Sequence, residues 1–115
     1  MYVDGFLLAV PNDKKDAYRA HAEKAGAMFK DHGMTSMVEC WGDDVPEGTL
    51  TSFRMAVKQE EGETVVFCWM SCPSKAARDE GWKKIMEDPR MKEQGEMPFD
   101  GKRMIYGGFA VLVEA

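Results

Sequence analysis

The sequence predicts an α+β domain in which a β-α-β pattern occurs twice. Three observations predict it. Segments with the period of a strand and segments with the period of a helix follow one another in that order. Two short strings echo each other across the chain: Val38-Glu39-Cys40-Trp41 with Val66-Phe67-Cys68-Trp69, and Tyr2-Val3-Asp4-Gly5-Phe6 with Tyr106-Gly107-Gly108-Phe109. Finally, 115 residues fit one domain, residues 1–115, and are too few for two ordinary ones.

Tyr2–Val10 is apolar in both alternation phases, as a central strand is, and Pro11-Asn12-Asp13 ends it. From Asp13 to His32 the residues Tyr18, Ala22, Ala25 and Phe29 fall at helical spacing, and Gly33 supplies a stop. Met34–Trp41 reads as the second strand, closed by the turn-rich Gly42–Gly48. Phe53, Met55 and Val57 alternate with Arg54, Ala56 and Lys58, Glu60–Glu63 turns the chain, and Thr64–Met70 is a strong strand, so residues 51–70 read as a hairpin. Pro73-Ser74 opens a second helix that runs to Asp88, with Trp82, Ile85 and Met86 as its buried stripe, and Met91–Gln94 adds a further turn. Arg103–Val113 is the last strand, with Gly107-Gly108 at a bulge or a close approach. The order β-α-β, hairpin, β-α-β is a ferredoxin-like plaid with both helices on one face of the sheet.

That arrangement leaves the other sheet face to water, yet the strands carry large residues in both phases: Phe6 and Leu8 against Leu7, and Phe67 against Cys68. A sheet apolar on both sides wants a second cover, and another copy of itself is the simplest one. Homodimerisation is therefore expected.

The net charge is −5, with acidic excess in both halves, so nucleic acid and anionic membranes are not expected partners. The apolar runs Phe6–Pro11 and Phe109–Val113 are too short to span a bilayer. The start shows no signal-peptide pattern. Cys40, Cys68 and Cys72 are odd in number and form no Cys-x-x-Cys pair. Cys68 and Cys72 are separated by about 13 Å of strand rise, too far for a disulfide or a shared metal. Reduced thiols in a cytoplasmic protein are the expectation.

The strings Glu39-Cys40-Trp41-Gly42-Asp43-Asp44-Val45-Pro46 and Met97–Phe109 (MPFDGKRMIYGGF), with Tyr2-Val3-Asp4-Gly5-Phe6, Pro73-Ser74-Lys75 and Asp88-Pro89-Arg90-Met91, carry a resemblance along the whole chain. The sequence resembles the YbaA-like family of uncharacterised bacterial proteins, a domain-of-unknown-function family in the dimeric α+β barrel superfamily. The resemblance implies a homodimer whose two sheets pack face to face, and it brings no activity. Superfamily relatives include cofactor-independent monooxygenases, chlorite-dismutase-like haem proteins, muconolactone isomerases and stress-response domains, with sites between sheet and helices. That breadth chooses no function. Some family members carry a name referring to a signal-recognition-particle RNA. The plaid is also the topology of the RRM, but Gly107-Gly108-Phe109-Ala110-Val111 lies on the last strand and lacks the leading basic residue and second aromatic of its consensus.

Few residues point to chemistry. His21 and His32 share a helix face about 16 Å apart, so one metal cannot use both. Glu39, Asp43 and Asp44 flank Cys40-Trp41, and a carboxylate beside an indole is a candidate general base, whereas a turn explains Asp43 and Asp44 equally well. Tyr106 offers an acid/base hydroxyl in the most distinctive motif. Arg54 and Arg103 suit an anionic ligand by bidentate hydrogen bonds, with Trp41 as an apolar wall. The catalytic candidates are thus Asp43 and Tyr106, the ligand-binding candidates Trp41, Arg54 and Arg103, and no metal or cofactor is implied. Two readings stand: a non-catalytic homodimeric domain binding a small molecule or a protein partner, and a cofactor-independent monooxygenase- or isomerase-like enzyme. No enzyme class is assigned.

Overall fold

Strand alternation over ten residues gives β1 (Tyr2–Pro11), and the chain then forms α1 (Lys15–Asp31), β2 (Ser36–Trp41), α2 (Phe53–Ala56), β3 (Glu63–Cys72), α3 (Lys75–Glu87), α4 (Pro89–Lys92) and β4 (Ile105–Ala110). The computed structural model describes all 115 residues. The sheet order is β2-β3-β1-β4, and every neighbouring pair is antiparallel. β1 and β2 thus flank β3, while β3 and β4 flank β1. The two β-α-β units interleave, which is the ferredoxin-like plaid.

The helices start and stop for local reasons. The Ser74 hydroxyl accepts from the Ala77 amide and caps α3. Pro89 ends α3 and opens α4, where Asp88 accepts from the Arg90 amide. Gly81 lets α3 come close to the end of α1, since a Cβ there would lie 2.7 Å from the His32 carbonyl oxygen. His32 Nε2 also meets Asp88 Oδ2 at 2.7 Å, and Arg90 bridges Asp88 and Asp31 at 2.8 and 3.0 Å. One histidine and one arginine therefore tie α1 to the α3–α4 junction.

The core lies between the helices and the sheet. Leu8, Val10 and Val66 pack with Tyr18 and Ala22, and Met70 and Cys72 pack with Met28, Met34 and Ile85. At the far end of the same face sits a buried ion pair. The Asp4 carboxylate, 4% exposed, accepts from Arg78 Nε at 3.1 Å and Nη2 at 2.7 Å. Trp82 Nε1 donates to its other oxygen at 3.3 Å. Arg78 also lies over the Tyr2 ring, 5.3 Å from its centroid. Gly108 is the residue opposite Asp4 on β4, and a Cβ there would lie 2.8 Å from the Tyr2 ring and 2.9 Å from Arg78 Nη2. The close approach read from Gly107-Gly108 is this packing of Tyr2 and Arg78 against the backbone.

Three expectations are corrected. Residues 51–57 are not the first arm of a hairpin. Ser52 accepts from the Met55 amide at 3.0 Å and starts the short helix α2, and the fully buried Val57 packs on Ala9 and Val65. The apparent alternation of Phe53, Met55 and Val57 is one helical turn followed by an anchor. The last strand is shorter than Arg103–Val113, because Arg103 sits in a 3-10 turn (Gly101–Arg103) and the chain leaves the sheet after Ala110. Met86 faces outward, whereas Gly81 and Ile85 are the buried residues of α3.

Arg103 fastens that 3-10 turn to the start of β3. Its Nη1 and Nη2 meet the two Glu63 oxygens at 2.7 Å each, its Nε meets Asp100 at 3.0 Å, and Nη1 also donates to the Lys58 carbonyl. Hydrogen bonding from Arg103 holds the Glu63 carboxyl below its ordinary 4.5.

These contacts set two expectations. Asp4→Ala leaves Arg78 Nε and Nη2 without their buried partner, with Asp79 still 3.0 Å from Nη1, and should lower the unfolding free energy by about 3 kcal/mol in urea denaturation, more than an exposed carboxylate such as Glu87→Ala does. Glu63 is more acidic folded than unfolded, so its stabilisation is complete above pH 4.5 and is lost as pH falls through its native value. Urea midpoints measured between pH 7 and 3 should fall less steeply in Arg103→Gln than in the native protein. Parallel curves would contradict this role for the pair.

Candidate functional site

The helical spacing of α1 sends Tyr18, His21, Ala25 and Phe29 along one stripe toward the sheet. Opposite them the strands present Phe6, Leu8, Glu39, Cys68 and Met70, and Trp82 and Phe99 close the space from α3 and the loop before β4. The elements do not fill the gap between them. A cleft of about 220 Å³ remains, lined almost wholly by apolar side chains. Aromatic rings frame it: Phe29 to Trp82 at 5.5 Å, Phe6 to Trp82 at 6.4 Å, and Tyr18 to Phe99 edge-on at 5.8 Å. His21 stands at its wall, 6.1 Å from Phe99.

One hydrogen-bonded polar pair interrupts that lining, beside His21 and the Gln94 amide. The buried Tyr18 hydroxyl donates to Glu39 Oε1 at 2.7 Å. Glu39 lies directly across from Cys68 in the β2–β3 register. Burial first, and the Glu39 hydrogen bond second, push the Tyr18 hydroxyl far above its ordinary range. Burial and then the Glu39 charge push the Cys68 thiol up as well. The His21 imidazole is lowered by burial, an effect that Glu39 partly offsets. At neutral pH the cleft therefore holds a protonated phenol, a protonated thiol and a neutral imidazole around Glu39. On the far side of Tyr18 and Glu39 lies a larger hollow of about 420 Å³ along Lys15, Met37 and Trp41.

Of the candidates named from the sequence, only Asp43 and Arg54 share a hollow. Trp41 lines that second hollow, with Lys15 Nζ 4.9 Å from its ring centroid. Asp43 is exposed in the turn after β2 and shares with Arg54 a small hollow of about 110 Å³ near Gly42 and Val65. Arg54 belongs to α2 and is 3.6 Å from Glu47. Arg103 is spent on Glu63 and Asp100. Tyr106 is 74% exposed on the edge strand β4, with its ring stacked 6.3 Å from Phe6. No three His, Cys, Asp or Glu side chains gather as a metal-ligand set.

The residues that do meet were legible only as core. Tyr18 belongs to an apolar stripe, and nothing in its spacing announces a partner. Glu39 was the available signal. It occupies the same alternation phase as Met37 and Trp41, and in a plaid that phase faces the helices, where a carboxylate needs a donor.

The comparisons with known proteins agree with this fold. Residues 1–101 match the family described as "Protein of unknown function (DUF1428)". Over 114 residues the chain is 62% identical to the "Uncharacterized protein YbaA" of Escherichia coli K12, covering 98% of this chain and 97% of that one. The protein of the same name from Shigella flexneri gives the same identity and coverage. Among solved structures, "Structure of Rv0793 from Mycobacterium tuberculosis" aligns over 100% of this chain and 99% of that one, with a TM-score of 0.50 and 18% identity. That likeness concerns the fold alone. The chain belongs to the DUF1428 family.

Proposed function

We propose that this protein is a homodimeric, cytoplasmic small-molecule-binding domain, with the helix-side cleft as the ligand site and the open sheet face as the dimer face. The observation that carries the ligand site is the unfilled space of about 220 Å³ around the Tyr18–Glu39 pair. Well-packed domains keep few voids larger than a water molecule, and an apolar cleft with one or two placed polar groups is the usual form of a small-molecule site. Binding is favoured over catalysis because the thiol and phenol beside the cleft are both driven toward their protonated, unreactive forms.

The dimer face has its own support. Val3, Leu7, Val38, Phe67, Trp69, Ile105 and Phe109 share the alternation phase turned away from the helices. Only one end of that face is covered, by Val57 on Ala9 and Val65. Phe67 is 43% and Phe109 62% exposed in the single subunit. Beyond β4 the tail is itself apolar and exposed, with Leu112 94% exposed. A contiguous apolar patch of this kind is characteristic of an interface, and one sheet face on each copy offers the self-complementary surface a two-fold dimer needs. No helix is long and apolar enough to cross a membrane, and the buried Cys68 and Cys72 are free thiols.

Sedimentation velocity at micromolar concentration should give twice the 13.0 kDa of one chain. Phe67→Asp should shift that species to the monomer while the circular-dichroism spectrum is kept. A native monomer would remove the dimer. For the ligand site, a fragment screen read by NMR should move the Trp82 indole signal in preference to that of Trp69 on the open face. Hits confined to other surfaces would sink the cleft reading.

A further inference from the structure

We infer that the helix-side cleft selects a flat apolar molecule carrying an O–H or N–H donor, and rejects anions, with Glu39 as the group that receives the donor. The inference rests on the cleft being a ligand site and adds the chemistry of what enters it.

The walls set the body of the ligand. Phe29, Trp82 and Phe99 present rings at several inclinations, and ring faces and edges pack best against another planar apolar group. Met70, Met91 and Met104 fill between them with adaptable, polarizable side chains. Glu39 sets the head. Its Oε1 is taken by the Tyr18 hydroxyl, the Cys68 thiol is the other protein group that hydrogen-bonds the carboxyl, and since a thiol is a weak donor and a carboxylate has about four acceptor sites, accepting capacity remains at Oε2. Tyr18 has spent its one proton on Glu39, so the pair offers an incoming molecule an acceptor.

Charge decides against anions. No lysine or arginine lines the cleft. Lys15 and Arg19 line the neighbouring hollow instead, where Lys15 sits over the Trp41 ring. A carboxylate or phosphate entering the cleft would face Glu39 in apolar surroundings with no counter-ion, a costly burial. His21 gives no relief, because it is held toward its neutral form. An O–H or N–H donor, by contrast, gains a charge-assisted hydrogen bond to Oε2. Phenolic hydroxyls and aromatic amines share that chemistry.

Three probes that share one para-ethylphenyl body separate the possibilities: para-ethylphenol, para-ethylaniline and para-ethylbenzoate, each titrated into the native protein and followed at the Trp82 indole signal. The phenol or the aniline should bind, and whichever binds more tightly identifies the head group. The benzoate should be weaker by about tenfold or more. Glu39→Gln keeps an oxygen for the Tyr18 hydroxyl and replaces the free acceptor by an amide donor. It should weaken the preferred donor probe by about tenfold and strengthen the benzoate, reversing the order. Benzoate binding as tightly as the donor probes to the native protein overturns the inference while leaving the cleft a ligand site. A cleft that none of the three perturbs overturns both. The native comparison needs no variant, so poor folding of Glu39→Gln would not shield the inference.

Discussion

The pairing of β1 with β3 is the constraint from which the rest of the molecule follows. It runs in one unbroken antiparallel register from Tyr2 opposite Cys72 to Pro11 opposite Glu63. Because side chains alternate along a strand, that register alone decides which residues meet the helices. It sends Asp4, Phe6, Leu8 and Val10 to the helical side with Val66, Cys68 and Met70, and it sends Leu7, Phe67 and Trp69 to the other. A slip of one residue would turn Asp4 away from Arg78 and Trp82 and put Val3 or Gly5 in its place. The buried ion pair thus costs heavily in any other register, which is the best-attested use of such a pair.

The same register gives the two faces unequal cover. On the helical side α1 and α3 meet closely where Gly81 admits the end of α1. Beside that contact the space between α1 and the sheet widens into the cleft, and aromatic rings frame it without filling it. Glu39 sits at this widening, held from one side by Tyr18. On the open side the only cover is the turn of α2 and Val57 at one end. One face therefore holds a cleft with a polar anchor, and the other holds a surface with none. A pocket and an interface are the two outcomes such a sheet can have.

Much of this was legible in the sequence. Tyr2–Val10 reads as a central strand because it is apolar in both phases, and the same fact predicts the exposed second face. Pro73-Ser74 and Pro89 mark the limits of α3 through capping and a missing amide, which are local effects. The reading fails where the decision is tertiary. Phe53, Met55 and Val57 alternate like a strand, but a cap from Ser52 and the pull of Val57 into a site beside Ala9 make a helical turn. Arg103 looks like a free cation for a ligand until Glu63, forty residues away, takes both of its terminal nitrogens. Trp41, Asp43, Arg54 and Tyr106 are residue types suited to chemistry, and the fold brings only Asp43 and Arg54 to one hollow. The residues it gathers instead, Tyr18, Glu39, Cys68 and His21, come from three elements whose mutual placement no spacing encodes.

The central claim is that both faces of this sheet are built to be covered, one by helices and the other by a second copy. The direct measurement is the broadening of methyl NMR signals by a soluble paramagnetic agent. In the single subunit Val38 and Ile105 are 37% and 43% exposed, and Leu50 is 93% exposed away from the sheet. If a second copy covers the open face, the Val38 and Ile105 methyls are protected to the level of Leu8 and Val66, while Leu50 is broadened. Broadening of Val38 and Ile105 in proportion to their exposure in one subunit would contradict the account.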